Sequence, residues 1–225
     1  MSATITERVG AQPVDPHKLG HLGHGGGSDV TGRGSGGPAS KRIIVGFGFW
    51  VFLLSDIVLF SAIFATYAVL ADATAGGPSG RELFDLRNVG VETVSLLLSS
   101  FACGVAMIGA QQRNVLWTQL GLIVTGALGA VFLFLEMSEF AGMIAEGAGP
   151  GRSGFLSAFF ALVGCHGLHV TIGLLWLGTM MAQIQAMGFP ATIQRRLMCF
   201  SLFWHALDII WVALFTIVYL MGGGR

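Results

Sequence analysis

The chain has 225 residues, of which 53% are hydrophobic and only 11% charged, with a formal net charge of zero. Soluble domains carry about 25% charged residues, so this surface cannot face water throughout. The balanced charge leaves no global field for nucleic acid or acidic substrates.

Residues 1–42 form a separate region. Gly20 to Gly37 is dominated by Gly with Ser, Asp and Pro, too little apolar surface to fold, and a disordered Gly/His-rich tail is expected. The tail has no apolar stretch of the kind a signal peptide needs. His17, His21 and His24 are loosely spaced within it; a solvated tail fits them better than a metal site.

From residue 43 onward the pattern changes to long apolar stretches. A membrane-spanning helix needs about 20 such residues. The candidates are Ile43–Leu70, Val89–Ala110, Val115–Phe140, Phe155–Met181 and Leu197–Met221. Gly/Pro-rich breaks lie between them at Ala75–Pro78, Gly147–Gly151 and Met187–Pro190, which are turn signals. The expected fold is an all-α membrane protein, a bundle of five transmembrane helices over residues 43–225. Five spans put the termini on opposite sides. Eight basic residues (Arg8, Lys18, Arg33, Lys41, Arg42, Arg113, Arg195 and Arg196) fall on the amino-terminal side, against Arg81, Arg87, Arg152 and Arg225 on the other. The positive-inside rule then predicts a cytoplasmic amino terminus, with the carboxyl terminus on the opposite side of the membrane. Two small-residue stripes, Ser157–Ala161–Cys165–His169–Gly173 and Gly121–Thr125–Gly129, suit close helix packing. Cys103, Cys165 and Cys199 all sit inside apolar stretches, without metal-site spacing, and read as packing residues.

Ionisable residues interrupt these helices at helical spacing. Such groups are costly in hydrocarbon and mark buried contacts or function. Asp56 lies mid-way along the first helix, and Glu92, Glu136 and Glu139 lie near the outer ends of the second and third, where they can reach the interface. His166/His169 and His205/Asp208 are i, i+3 pairs, each sharing a helix face. The second pair can form one network in which Asp208 orients the imidazole. Mutual satisfaction across helix interfaces is the plainer reading of all these groups, with a proton or lipid-headgroup role as the other.

Three other chemistries meet obstacles. Gly151–Arg152–Ser153–Gly154 matches the GxSG of an intramembrane protease. At 1.5 Å per residue, however, Ser153 and His205 fall more than ~15 Å apart in depth. Bis-histidine haem ligation by His166 or His169 with His205 stays geometrically open, which leaves a haem-binding membrane anchor as an alternative. A small transporter would favour inverted repeats, and none is visible.

Two segments carry a resemblance. Arg152–Val170, with its HGxHV core at His166 to Val170, and Trp204–Trp211, reading WHxxDxxW, resemble subunit III of the haem–copper respiratory oxidases. The similarity runs from Arg42 to the end. The five helices, with Phe64–Leu70 and Thr74–Pro78, point to the cytochrome o (bo-type) ubiquinol oxidase branch, with subunit III of a cytochrome c oxidase as the alternative. Asp56 falls where cytochrome c oxidase relatives have a buried glutamate. The resemblance implies a non-catalytic subunit with no cofactor of its own. The haems and copper belong to subunit I, and subunits II and IV complete the complex. It also implies bound phospholipid in a cleft between helices and support for proton uptake. Asp56, Glu139, His166, His169, His205 and Asp208 are the candidates for a structural, lipid or proton network.

Overall fold

A computed structural model describes residues 41–76 and 86–222. The glycine-rich tail with its three histidines, Gly77 and Pro78 of the Ala75–Pro78 break, Arg81 and Arg225 lie outside the described residues. The chain divides near Ile43 into two units, and the second, Ile44–Arg225, holds the bundle described below.

Five helices follow in order: α1 (Lys41–Leu70), α2 (Leu86–Gln111), α3 (Val115–Ala145), α4 (Gly154–Met187) and α5 (Ala191–Leu214). A π-helical turn, Phe215–Leu220, continues α5. No strand occurs among the described residues, and all five helices are long and apolar enough to cross a membrane. Five such helices make this a multi-pass membrane protein.

The helices outrun the apolar stretches that announced them. α4 runs on to Met187 through Gln183 and Gln185, and α5 starts at Ala191, one turn or more before its apolar run. Backbone hydrogen bonding does not stop where hydrocarbon stops, and helix-forming residues carry it on until a cap intervenes. Asn114 caps α3, its side-chain oxygen accepting from Trp117 N–H at 3.2 Å. Ser153 caps α4 in the same way through Leu156 N–H at 3.2 Å. Gly188 ends α4 at φ 67°, a conformation that favours glycine.

Side-chain pairings give the topology. Ser99 meets Trp204 and Thr93 meets Trp211, so α2 and α5 run antiparallel. Gln119 Nε2 donates to Met181 O at 2.8 Å, and Glu136 lies against Gly167, so α3 and α4 are antiparallel as well. Phe49 meets Trp176, Phe60 meets His169 and Tyr67 meets Phe155, which sets α1 antiparallel to α4. The large core side chains Phe132, Phe159, Phe200, Trp204 and Trp211 fill the space among α2 to α5.

α1 is attached differently from the rest. Only 11% of its most apolar window is buried, against 33–50% for the other four spans. It engages through a seven-residue stripe, Leu53, Phe60 and Tyr67, each almost fully buried. A seven-residue repeat keeps one seam of a helix facing its neighbour. The remaining circumference, including Phe47, Val58 and Val69, is exposed apolar surface.

The small-residue stripe of α3 lies in the core, whereas that of α4 does so only at its end. Gly129 and Gly173 leave room for the Trp204 ring, and Gly121 lets α3 approach Ala106 of α2. Ser157 and Ala161 are exposed instead. Helical spacing alone does not tell which side of a helix its neighbours occupy.

Candidate functional site

The polar residues of the bundle fall in two layers along α2 to α5. In the first, Trp204 Nε1–H donates to Ser99 Oγ at 3.0 Å, and the Ser99 hydroxyl donates to Thr125 O at 3.0 Å. Thr125 in turn donates to Gly121 O at 2.8 Å. These hydroxyls return their hydrogen bonds to backbone carbonyls, so a polar chain crosses three helices with its members satisfied.

Beside it, the expected pairing of His205 with Asp208 does not form. His205 Nδ1 shares a 2.5 Å hydrogen bond with Ser100 Oγ of α2, and neither Asp208 oxygen has a hydrogen-bond partner. The i, i+3 spacing places both on one helix face, but the antiparallel α2 presents a closer hydroxyl to the imidazole. Ser100 is also near enough to Asp208 to bear on its charge, as Asp208 is to Cys103. Asp208 is only 7% exposed, while His205 and Ser100 are half-buried.

The second layer lies toward the carboxyl-terminal end of α3 and the π-helical turn. Glu92 of α2 and Glu136 and Glu139 of α3 lie within electrostatic range of one another, and Tyr219 lies within range of all three. Their position near helix ends had suggested side chains reaching the membrane interface. Instead Glu92 and Glu136 are 1% exposed, turned into the bundle, and only Glu139 is half-buried. Gly167 makes this possible: a Cβ there would lie 2.8 Å from Glu136 Oε1. Ser95, Ser99 and Cys103, following one another at four-residue steps from the Glu92 region, were the sequence signal that this face of α2 is interior.

His166 occupies the aromatic centre. Its ring centroid lies 5.2 Å from that of Trp211, 5.7 Å from Phe132 and 6.5 Å from Phe60. It is fully buried, and neither ring nitrogen has a hydrogen-bond partner. A haem on His166 would have to displace all three rings. His169, one turn on, shares a 2.7 Å hydrogen bond with the Cys165 carbonyl of its own helix and faces Phe60 of α1. Asp56 is half-buried on α1 and within electrostatic range of Cys165. The structure thus gathers Asp56 and His169 at the α1–α4 seam, His205 and Asp208 at the α2–α5 seam, and Glu139 in the carboxylate layer. His166, next to the Gly167 that lies against Glu136, packs beside the carboxylate layer on Phe132 and Trp211. No three His, Cys, Asp or Glu side chains among the described residues converge as a metal-ligand set. Ser153 of the GxSG segment serves as the α4 cap, far along the bundle from His205.

A buried polar ring without partners costs stability, and an apolar isostere removes that cost. His166→Leu, close in volume, is therefore expected to leave the thermal midpoint of the detergent-solubilised protein unchanged or raised. A fall of several degrees in a thermal-shift assay would contradict this account of His166.

Comparison with known proteins gives a consistent set of relatives. Residues 30–223 match the family model for cytochrome c oxidase subunit III. The cytochrome bo(3) ubiquinol oxidase subunit 3 of Pseudomonas aeruginosa is 55% identical over 180 residues, covering 78% of this chain and 84% of that protein. The quinol oxidase subunit 3 of Bacillus spizizenii is 45% identical over 79% of this chain and 87% of that protein. The cytochrome c oxidase subunit 3 of Bacillus sp. (strain PS3) is 43% identical, with 78% and 84% covered.

Proposed function

Because the chain belongs to the cytochrome c oxidase subunit III family of the haem–copper oxidases, we infer that it is subunit III of a bo-type ubiquinol oxidase. That complex would oxidise quinol, reduce oxygen to water and translocate protons. The observation that carries the quinol assignment is the 55% identity to a ubiquinol oxidase subunit over 78% of the chain.

In this reading the chain binds and supports, and the haems, copper and redox steps reside in subunit I. Subunits II and IV are the further partners. The amino terminus and its tail face the cytoplasm, and the membrane is the bacterial inner membrane. The polar layers act as structural ties: the Ser99–Thr125–Trp204 chain holds α2, α3 and α5 in register. Phospholipid would occupy the space beside α1, whose backbone makes no extensive approach to the other helices and whose outer surface is apolar. Asp56, at that seam and near Cys165, would brace the cleft wall and not carry pumped protons.

Affinity purification of the tagged chain from its native membranes in mild detergent tests this. A larger partner with two haems and copper, and quinol-supported oxygen uptake by the eluate, is the expected result. A chain that elutes alone and colourless would overturn it, and a chain that elutes alone with a haem band would make it the haem-binding anchor. For Asp56→Asn, initial turnover and proton pumping in reconstituted vesicles are expected to stay near the wild-type level. Immediate loss of pumping would make Asp56 a proton carrier.

A further inference from the structure

The end of the bundle at which α2 stops and α5 begins carries charge of one sign. Because α2 runs antiparallel to α5, and α3 to α4, the α2–α3 and α4–α5 connections share that end. Arg113 sits in the first connection, and Arg195 and Arg196 lie just inside α5. No Asp or Glu occurs in residues 93–135 or 147–207, which build these four helix ends. Arg196 Nη1 donates to Gln183 Oε1 at 3.0 Å, and Arg195 Nη2 donates to Thr192 Oγ1 at 3.2 Å. Those neutral acceptors orient two guanidinium groups without offsetting their charge.

Arg113 also holds a backbone conformation that suits glycine better than arginine. Its φ is 56°, directly after α2. Its N–H donates to Ala110 O at 3.1 Å, and Asn114 N–H donates to Gly109 O at 3.0 Å. That pair of bonds closes a helix through a left-handed residue, the place glycine usually fills. After α4 the chain does use glycine there, Gly188 at φ 67°. Arginine at 113 therefore carries a backbone cost that glycine would remove. Its side chain is exposed, so no burial offsets that cost. One turn into α3, Trp117 is 54% exposed. An exposed indole with a cation just beyond it marks the level where acyl chains give way to headgroups.

We propose that the α2–α3 connection binds an anionic phospholipid, its phosphate held by Arg113 and its acyl chains lying along Leu116, Leu120 and Ile123 of α3. These three side chains are exposed and follow at i, i+4 and i+7, so they line one face below Arg113. Charge selects the occupant. A guanidinium fork matches phosphate oxygens in pairs, and Arg195 and Arg196 add a field of the same sign that favours a lipid of net negative charge. The site lies on α3, apart from the space beside α1, and does not depend on which electron donor the oxidase uses.

Thermal unfolding of the full chain in neutral detergent tests this, with phosphatidylglycerol or phosphatidylcholine added at matched concentration. Phosphatidylglycerol is expected to raise the midpoint by roughly 4 °C and phosphatidylcholine to leave it unchanged. Arg113→Gly is expected to begin from an equal or higher midpoint without lipid, since the backbone cost is gone, and to lose most of the phosphatidylglycerol shift. Arg113→Gln, which keeps the backbone problem and drops the charge, should lose the shift as well, while Arg113→Lys keeps most of it. Equal shifts from the two lipids, or a full phosphatidylglycerol shift in Arg113→Gly or Arg113→Gln, would overturn the proposal. A lower lipid-free midpoint for Arg113→Gly would overturn it too, because the arginine would then serve the fold. A second arm treats Arg113→Lys in native membranes with a zero-length carbodiimide crosslinker. No protein adduct at position 113 is expected. A crosslink to a carboxylate, in this chain's own tail or in another subunit, would give Arg113 a protein partner in place of the lipid and overturn the assignment.

Discussion

Replacing Trp204 by Ala should destabilise the subunit more than any other single substitution in the bundle. The indole is 1% exposed, lies against Gly129 and Gly173 at distances that would admit no Cβ, and donates to Ser99 Oγ at 3.0 Å. Truncating a fully packed Trp costs about 3–5 kcal/mol in water-soluble proteins. Here the value should fall toward the lower end, because the alternative environment is hydrocarbon and the loss is mostly packing. Trp204→Phe keeps much of the volume, and Ser99 retains its bond to Thr125 O, so its cost should be near the ~1 kcal/mol of a single hydrogen bond. Thermal unfolding of the detergent-solubilised protein, followed by tryptophan fluorescence or size-exclusion recovery, ranks the two. Equal midpoints for both variants would show that the contact with the two glycines is not what holds α5 to α3 and α4.

The second large effect is expected at Gly121. Its Cβ would sit 2.8 Å from Ala106 Cβ, 2.9 Å from Ala106 Cα and 3.0 Å from Ala106 N. Most of those atoms are backbone and cannot rotate away. Overpacking costs about 1–3 kcal/mol, while exchanging a helical Gly for Ala returns at most about 1 kcal/mol. The first effect wins, so Gly121→Ala should lower the thermal midpoint, and Gly121→Val should reduce the yield of folded protein sharply. Gly142, with nothing within 4 Å of its Cβ position, is the control: Gly142→Ala should be neutral or mildly stabilising. If Gly121→Ala behaves like Gly142→Ala, α2 and α3 are not held at the distance described.

The contrast between these two glycines shows where sequence reading ends. Gly121, Thr125 and Gly129 announce a close-packing stripe by their spacing alone, and the structure places that stripe against Ala106 and Trp204. Ser157 to Gly173 has the same spacing, yet Ser157 and Ala161 face outward. Periodicity defines a face of a helix, but the neighbours decide whether that face is covered. The candidate residues follow the same rule. His205 and Asp208 share a helix face, as their spacing requires, but α2 supplies Ser100 from 105 positions away in sequence. No local pattern in α5 encodes that choice. Glu92 and Glu136 looked able to reach the interface until the packing of Gly167 turned Glu136 inward.

Five apolar stretches, their Gly/Pro breaks and the HGxHV and WHxxDxxW segments were enough to determine the all-helical membrane architecture and the family. Hydrocarbon demands that backbone groups be satisfied within each span, so length and apolarity alone select helices. Only the tertiary structure decided which polar side chains meet, because those partners come from different helices and depend on rotation and register. The separation of α1 from the other four helices, the inward carboxylates and the Ser100–His205 contact are all of that kind.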